Sequence, residues 1–218
     1  MTVNSGKQLR LLADETSKGQ IRQSNEALIL AAAGRVFAGA GFAGATMAAI
    51  AQAADLPKAN LHYYFGSKQE LYRKVLAQTL SDWLEPTHVI TPSADPKAAI
   101  EAYIRAKMRL SVERPHASRV FANELLHGAP VIKNLLATEL RQLIQSKAAV
   151  IAHWVQNGQM SPVEPTHLFF TIWAATQTYA DFEVQVCAVL GHSELTPSDQ
   201  AQATEHVVGL ILRGCGLA

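Results

Sequence analysis

The chain has 218 residues, 49% of them apolar, 17% charged, with a formal net charge of +1. That is enough for one large domain, or a small one joined to a larger one, around a substantial core. No run of about 18 apolar residues lacks a charge, so no membrane span is expected. The opening MTVNSGKQLRLLADE lacks the apolar segment of a secretory signal. Cys187 and Cys215 form no framework and suit a reducing cytoplasm. The charge is uneven. Residues 1–80 carry nine Lys/Arg against five Asp/Glu, and residues 81–218 carry ten against thirteen. The first segment has the sign needed to meet phosphate.

Residues 1–22 show no strong periodicity and include Lys7, Arg10, Lys18 and Arg22. They are expected to form a flexible basic arm. The first helix is expected from Asn25 to Gly39, with Ala27, Leu30, Ala33 and Phe37 on one stripe, broken by Gly39 and Gly41. Thr46 is a good N-cap for a second helix reaching Ala54. Asp55-Leu56-Pro57 makes a turn, and a third helix follows from Lys58 to Tyr64. After Gly66, Ser67 and Glu70 make an S-x-x-E capping box for a fourth helix ending near Pro86.

A Pro, Ser and Thr-rich loop covers Thr87 to Ala94. Asp95 and Pro96 start a fifth helix running to Arg114, and Pro115 opens a sixth, closed by Gly128. A seventh spans Pro130 to Asn157, with Gly158 as its stop. The eighth runs from Pro165 to Leu190 and the ninth from Thr196-Pro197 to near Gly214. Nine helices and no strand make the expected class all-α. The expected division is the arm at 1–22, a helix-turn-helix domain at 23–67 and a larger helical domain at 68–218.

A recognition helix packs one face on its neighbours and offers hydrogen-bonding side chains to a groove. The third helix meets both demands. Leu56, Leu61 and Phe65 can turn inward, leaving Lys58, Asn60, His62, Tyr63 and Tyr64 for the outer face or its edges. Lys and Asn suit guanine and adenine edges, while Tyr and His suit phosphate oxygens. Lys68 lies in the first turn of the fourth helix, where backbone N–H groups attract phosphate, and Thr46 marks a second such site.

Gly41-Phe42 with Thr46, Ile50-Ala51, Leu61-His62-Tyr63-Tyr64-Phe65, then Ser67-Lys68 and Leu71, resemble the TetR family of transcriptional regulators over about residues 25–75. The resemblance implies a dimer whose two reading heads reach successive major grooves. It implies that Lys58, Asn60, Tyr63 and Tyr64 face DNA, with Thr46, His62 and Lys68 near phosphates. The family usually has Tyr where this chain has His62, so a phosphate contact there would be weaker or depend on pH.

The remaining part, by the same resemblance, senses a ligand and dimerises, the eighth and ninth helices forming a four-helix bundle with their copies. Trp173, Gln177 and Asp181 recur at i, i+4 and i+8, on one helical face. A ring, an amide and a carboxylate on one stripe suit a flat polar heterocycle, which Gln can meet with both donor and acceptor. Equally, Trp173 can be core and the other two can bond between helices. Trp83, Phe121 and Glu124 could add walls to such a site.

The residues Ser111-Val112-Glu113-Arg114-Pro115, Ala117-Ser118-Arg119, Gly128-Ala129-Pro130, Ile172-Trp173-Ala174, Thr176-Gln177 and Tyr179-Ala180-Asp181-Phe182 are similar to the C-terminal domain of pyrimidine-utilisation regulators. That likeness implies uracil or a related pyrimidine as effector. The alternative is an efflux or stress regulator sensing an apolar or cationic compound. The eight histidines are scattered without metal spacing, and no P-loop occurs. No catalytic residue, metal or cofactor is expected, and the expected setting is a cytoplasmic, operator-binding homodimer that touches no membrane.

Overall fold

The computed structural model describes the backbone of residues 5–218 and the side chains of Gln20 and residues 22–218. Among the described residues all regular structure is helical. The chain divides into two compact units, Met1–Val75 and Leu76–Ala218.

The first unit holds α1 (Ser5–Gly44), α2 (Met47–Ala53), α3 (Lys58–Phe65) and the start of α4 (Lys68–Leu84). The backbone of α1 takes in residues 5–22, where no periodicity was visible. The side chains of Lys7, Arg10 and Lys18 lie outside the described residues. Gly39 does not end the helix. The break comes at Gly41, whose φ of 67° is a left-handed value that glycine adopts without a Cβ penalty. The buried row of α1 is Ile29, Ala32, Ala33 and Phe37, while Ala27 is exposed and Leu30 half-buried. ALILAAAGRVFAGAG is apolar on nearly every side, so its periodicity alone did not pick the face.

Phe37 meets the Tyr72 ring edge-on at 4.9 Å, and Leu61 and Phe65 from α3 complete this core with Ile50 from α2. One stretch, Arg22–Gly44, is long and apolar enough by composition to cross a membrane. Its buried row belongs to the core of this unit. The run Gly39-Ala40-Gly41-Phe42-Ala43-Gly44 has G-x-G-x-x-G spacing, but it ends a helix instead of following a strand, so it is no dinucleotide-binding turn.

The second unit continues α4 into a 3-10 turn, Glu85–Val89, then α5 (Pro96–Glu113) and α6 (Pro115–Leu126). There follow a short α7 (Lys133–Leu135), a π turn (Leu136–Leu140), α8 (Arg141–Gln156), α9 (Pro165–Asp181), α10 (Glu183–Leu190) and α11 (Pro197–Gly214). Asp95 and Thr196 cap α5 and α11 as expected, Thr196 within a full capping box with Asp199. The core joins α5, α8, α9 and α11 through Ile100, Ile104, Ile151, Trp154, Phe169, Ile172, Val208 and Ile211.

Two expected helices are interrupted. The seventh begins only at Lys133, because Gly128 and Ala129 take φ of +85° and +55° and hold the chain in a turn. The eighth breaks at Phe182 into α9 and α10. Arg119 Nε donates to the Ala180 carbonyl at 3.0 Å and its guanidinium pairs with Glu183, so a side chain from α6 takes a carbonyl at the end of α9. The Ser67–Glu70 capping box is half formed. Ser67 Oγ accepts from Glu70 N at 3.1 Å, but the Glu70 carboxylate turns to Arg73.

Candidate nucleic-acid interface and effector site

In the first unit α2 ends at Ala53, Asp55 takes a left-handed φ of 54°, and Pro57 leads into α3. This is a helix, a tight turn and a second helix, the arrangement of a DNA reader. Leu61 and Phe65, four residues apart, are buried, and Leu56 is half-buried. Lys58, His62 and Tyr63 are left exposed, with Asn60 and Tyr64 half-buried. Tyr63 is 75% exposed. So exposed a ring adds little to the packing of this unit.

The polar atoms are oriented. Thr46 Oγ1 caps α2 by accepting from Ala49 N at 3.1 Å, which leaves its O–H to donate outward. Tyr64 O accepts from Asn25 Nδ2 at 3.2 Å, so the phenol proton remains available. His62 Nδ1 lies 2.9 Å from the Gly66 carbonyl. A carbonyl can only accept, so Nδ1 carries the proton, and Nε2 donates only in the imidazolium form.

Lys68 differs from the expected phosphate contact. Its Nζ donates to the carbonyls of Phe42 (2.8 Å), Ala43 (3.4 Å) and Ala45 (2.9 Å), and lies 4.6 Å from the Phe42 ring centre. These bonds occupy all three ammonium protons. Lys68 therefore closes the chain end of α1 onto α4, satisfying carbonyls freed by the kink at Gly41.

In the second unit, α5 and α9 face each other along a row of polar side chains. Tyr103 and Lys107 stand four apart on α5; Trp173, Gln177 and Asp181 stand four apart on α9. One end is closed by Trp173 Nε1, which donates to Tyr103 Oη at 2.8 Å. The other is closed by Ser118 Oγ, which donates to Asp181 Oδ1 at 2.5 Å. Burial raises the Asp181 carboxyl pKa, opposed by the Ser118 bond and the charges of Lys107 and Arg119.

Between these closed ends lie Lys107 and Gln177. Lys107 is 3% exposed, and burial lowers its pKa to about 7, against the pull of Asp181. Its ammonium sits 4.2 Å from the Trp83 ring centre and makes no hydrogen bond among the described residues. Gln177, half-buried, makes none either. Trp83 and Phe121 are buried against each other edge to face at 4.8 Å. Trp83 thus presents a ring face to Lys107. Glu124 is buried, and its Oε1 accepts from Val131 N at 2.6 Å, which ties the turn after α6.

The structure so brings Trp173, Gln177 and Asp181 onto one face, as their spacing required, and gives Glu124 a structural duty. Sequence reasoning missed Tyr103, Lys107 and Ser118. A signal existed for Lys107: a lysine inside the stripe Ile100, Tyr103, Ile104, Met108, Ser111.

A separate groove of about 560 Å³ lies among α9, α10 and α11, lined by Tyr179, Phe182, Val186, Leu190, Ala203 and His206. Phe182, Val189 and Leu190 in its lining are exposed, as are Val184 on α10 and Leu210 on α11. It does not contain the expected effector residues. Among the described residues no group of three or more His, Cys, Asp or Glu could hold a metal ion.

The reading head and the helical second unit define a DNA-binding regulator rather than an enzyme. Residues 29–75 match the model for bacterial regulatory proteins of the tetR family, and residues 76–218 match that for the C-terminal region of YcdC-like proteins. The chain belongs to the tetR family of transcriptional regulators. It is 44% identical over 186 residues to the HTH-type transcriptional regulator RutR of Escherichia coli K12, covering 85% of this chain and 88% of that one; RutR of Shigella flexneri matches to the same extent. The fold is shared with PfmR of Thermus thermophilus (TM-score 0.65, 21% identity, 85% of this chain and 94% of that one). It is shared also with AibR, solved with isovaleryl coenzyme A and operator DNA (TM-score 0.62, 18% identity, 85% and 97%). The chain is a ligand-responsive transcriptional regulator.

Proposed function

We propose that this chain is a homodimeric repressor that leaves a palindromic operator when uracil or a related pyrimidine binds between α5 and α9. The carrying observation is Gln177, beside Trp173, with its amide unbonded in a face otherwise closed at both ends. A primary amide matches the N–H and C=O of a pyrimidine imide, and the Trp173 ring, packed beside Phe169 and Phe170, stands one turn away on the same helix. The 44% identity to RutR across most of both chains, and the likeness to pyrimidine-utilisation regulators, support the same effector.

In this reading Lys58, Asn60, Tyr63 and Tyr64 meet the operator, and Thr46 and His62 reach phosphates. Lys68 positions the reading head through the carbonyls it holds. The exposed apolar residues of α9, α10 and α11 form the dimer face, corresponding to the eighth and ninth helices expected from the sequence. Two heads then reach major grooves about 34–36 Å apart. Effector binding near Trp83, on α4, favours a head spacing that the operator does not accept, through its different affinity for the two states. A regulator of this kind works in the cytoplasm.

An efflux or stress regulator sensing a cationic compound is disfavoured. A cation entering this face would meet the ammonium of Lys107, while Asp181 is already held by Ser118. The test is an operator duplex selected by the protein from random DNA, followed by fluorescence anisotropy. Uracil and thymine are expected to release it. Release by lipophilic cations and not by any pyrimidine would reject the assignment.

A further inference from the structure

We propose that Lys107 is the specificity-determining residue of the effector site, donating to a ring oxo group and so selecting oxo-heterocycles over their amino counterparts. This rests on the pyrimidine reading of the site and names what that site reads.

The α5–α9 face holds unfilled hydrogen-bonding capacity. Tyr103 with Trp173 and Ser118 with Asp181 satisfy each other across the α5–α9 face. The two groups between them do not. As an ammonium Lys107 brings three donors and no acceptor, and Gln177 brings two donors and one carbonyl. The Lys107 ammonium has the Trp83 ring face beside it, 4.2 Å from the ring centre, and, among the described residues, no oxygen acceptor. The missing partner must supply mostly acceptors. Asp181, the charge that acts on Lys107 from α9, is bonded to Ser118 of α6.

A cyclic imide fits this demand. One carbonyl and the ring N–H pair with the Gln177 amide, and a second carbonyl accepts from Lys107. Uracil has that acceptor–donor–acceptor edge. Cytosine replaces an oxo group with an amine, which would set donor against donor at Lys107. Sites built to bond a polar group reject a ligand that cannot complete the bond far more strongly than they reject a change of size.

The experiment is calorimetric titration at pH 6, where Lys107 is an ammonium, of the full-length protein with uracil, cytosine and hydantoin, a non-pyrimidine cyclic imide. In the unaltered protein uracil is expected to bind at least roughly ten-fold tighter than cytosine, the scale of one charged hydrogen bond. Lys107→Met is expected to lose that preference and weaken uracil roughly ten- to hundred-fold, while Lys107→Arg keeps the preference. Equal binding of uracil and cytosine to the unaltered protein overturns the inference, whether or not the variants fold. Uracil binding that is unchanged in Lys107→Met overturns it too and leaves the pyrimidine reading standing. Hydantoin binding that depends on Lys107, without uracil binding, upholds the inference and removes the pyrimidine. Binding of none of the three removes both.

Discussion

The reading head and the α5–α9 face use polar side chains in opposite ways. In the head, Thr46 caps Ala49 N and His62 bonds the Gly66 carbonyl within four residues, Tyr64 Oη accepts from Asn25 Nδ2, and the Thr46 and Tyr64 hydroxyls each keep a donor for the outside. On the α5–α9 face they are buried or half-buried and bond side chains 63 and 70 residues distant, Asp181 to Ser118 and Trp173 to Tyr103. The first pattern suits a ligand that is a wet, charged surface. The second suits a small molecule that must be desolvated and fully bonded to enter.

Substitutions can break that contrast, and the largest effect is expected at Tyr63. Tyr63→Ala should weaken operator binding by about 1–3 kcal/mol, the range for a specific contact, with little change in melting temperature, since its ring is mostly in water. Anisotropy titration with a melting curve checks both. Unchanged affinity would mean that the exposed ring meets nothing on DNA.

Lys68→Met comes next. It strips three carbonyls of their donor, so the reading head should lose about 1–3 kcal/mol of stability. Operator affinity should fall without the reduction of about one in salt slope that follows loss of a phosphate contact. A reduced slope with unchanged stability would restore the phosphate role.

The third effect concerns pH and Lys107. Its folded pKa of about 7 lies below its ordinary value of 10.5. Between those values the unfolded chain binds more protons, so stability should rise with pH across that window. Lys107→Met should remove that component of the rise, as read from urea midpoints at pH 7 and pH 9. An identical rise in the variant would show that the ammonium is not desolvated.

The smallest effect is expected at His62. Nδ1 is committed to the Gly66 carbonyl, which leaves only Nε2 to face DNA. His62→Ala should weaken operator binding modestly, by less than Tyr63→Ala, as read by anisotropy. Unchanged affinity would remove His62 from the interface.

The same contrast governs what could be read in the sequence. Thr46, the Asp55-Leu56-Pro57 turn and the Leu61/Phe65 pair are local signals, set by neighbours within four residues, and α2 and α3 follow them. Proline and cap residues likewise fixed the starts of α5, α6, α9 and α11. The break at Phe182 was hidden because Arg119, far off in sequence, takes the Ala180 carbonyl. The duty of Lys68 was hidden for a similar reason, since its partners lie 23 to 26 residues back. Trp173, Gln177 and Asp181 share a face by spacing alone, but Lys107 joins them only through the packing of α5 on α9. A lysine on an apolar stripe is ambiguous until its burial is known.

Electron density from crystals of the protein grown with uracil tests most directly whether an effector sits against Lys107 and Gln177. A flat ring beside Trp173, one oxo group within hydrogen-bond distance of Lys107 Nζ, and an imide edge on the Gln177 amide are expected. A ring bound in the groove among α9, α10 and α11, with Lys107 still unbonded, would contradict that placement.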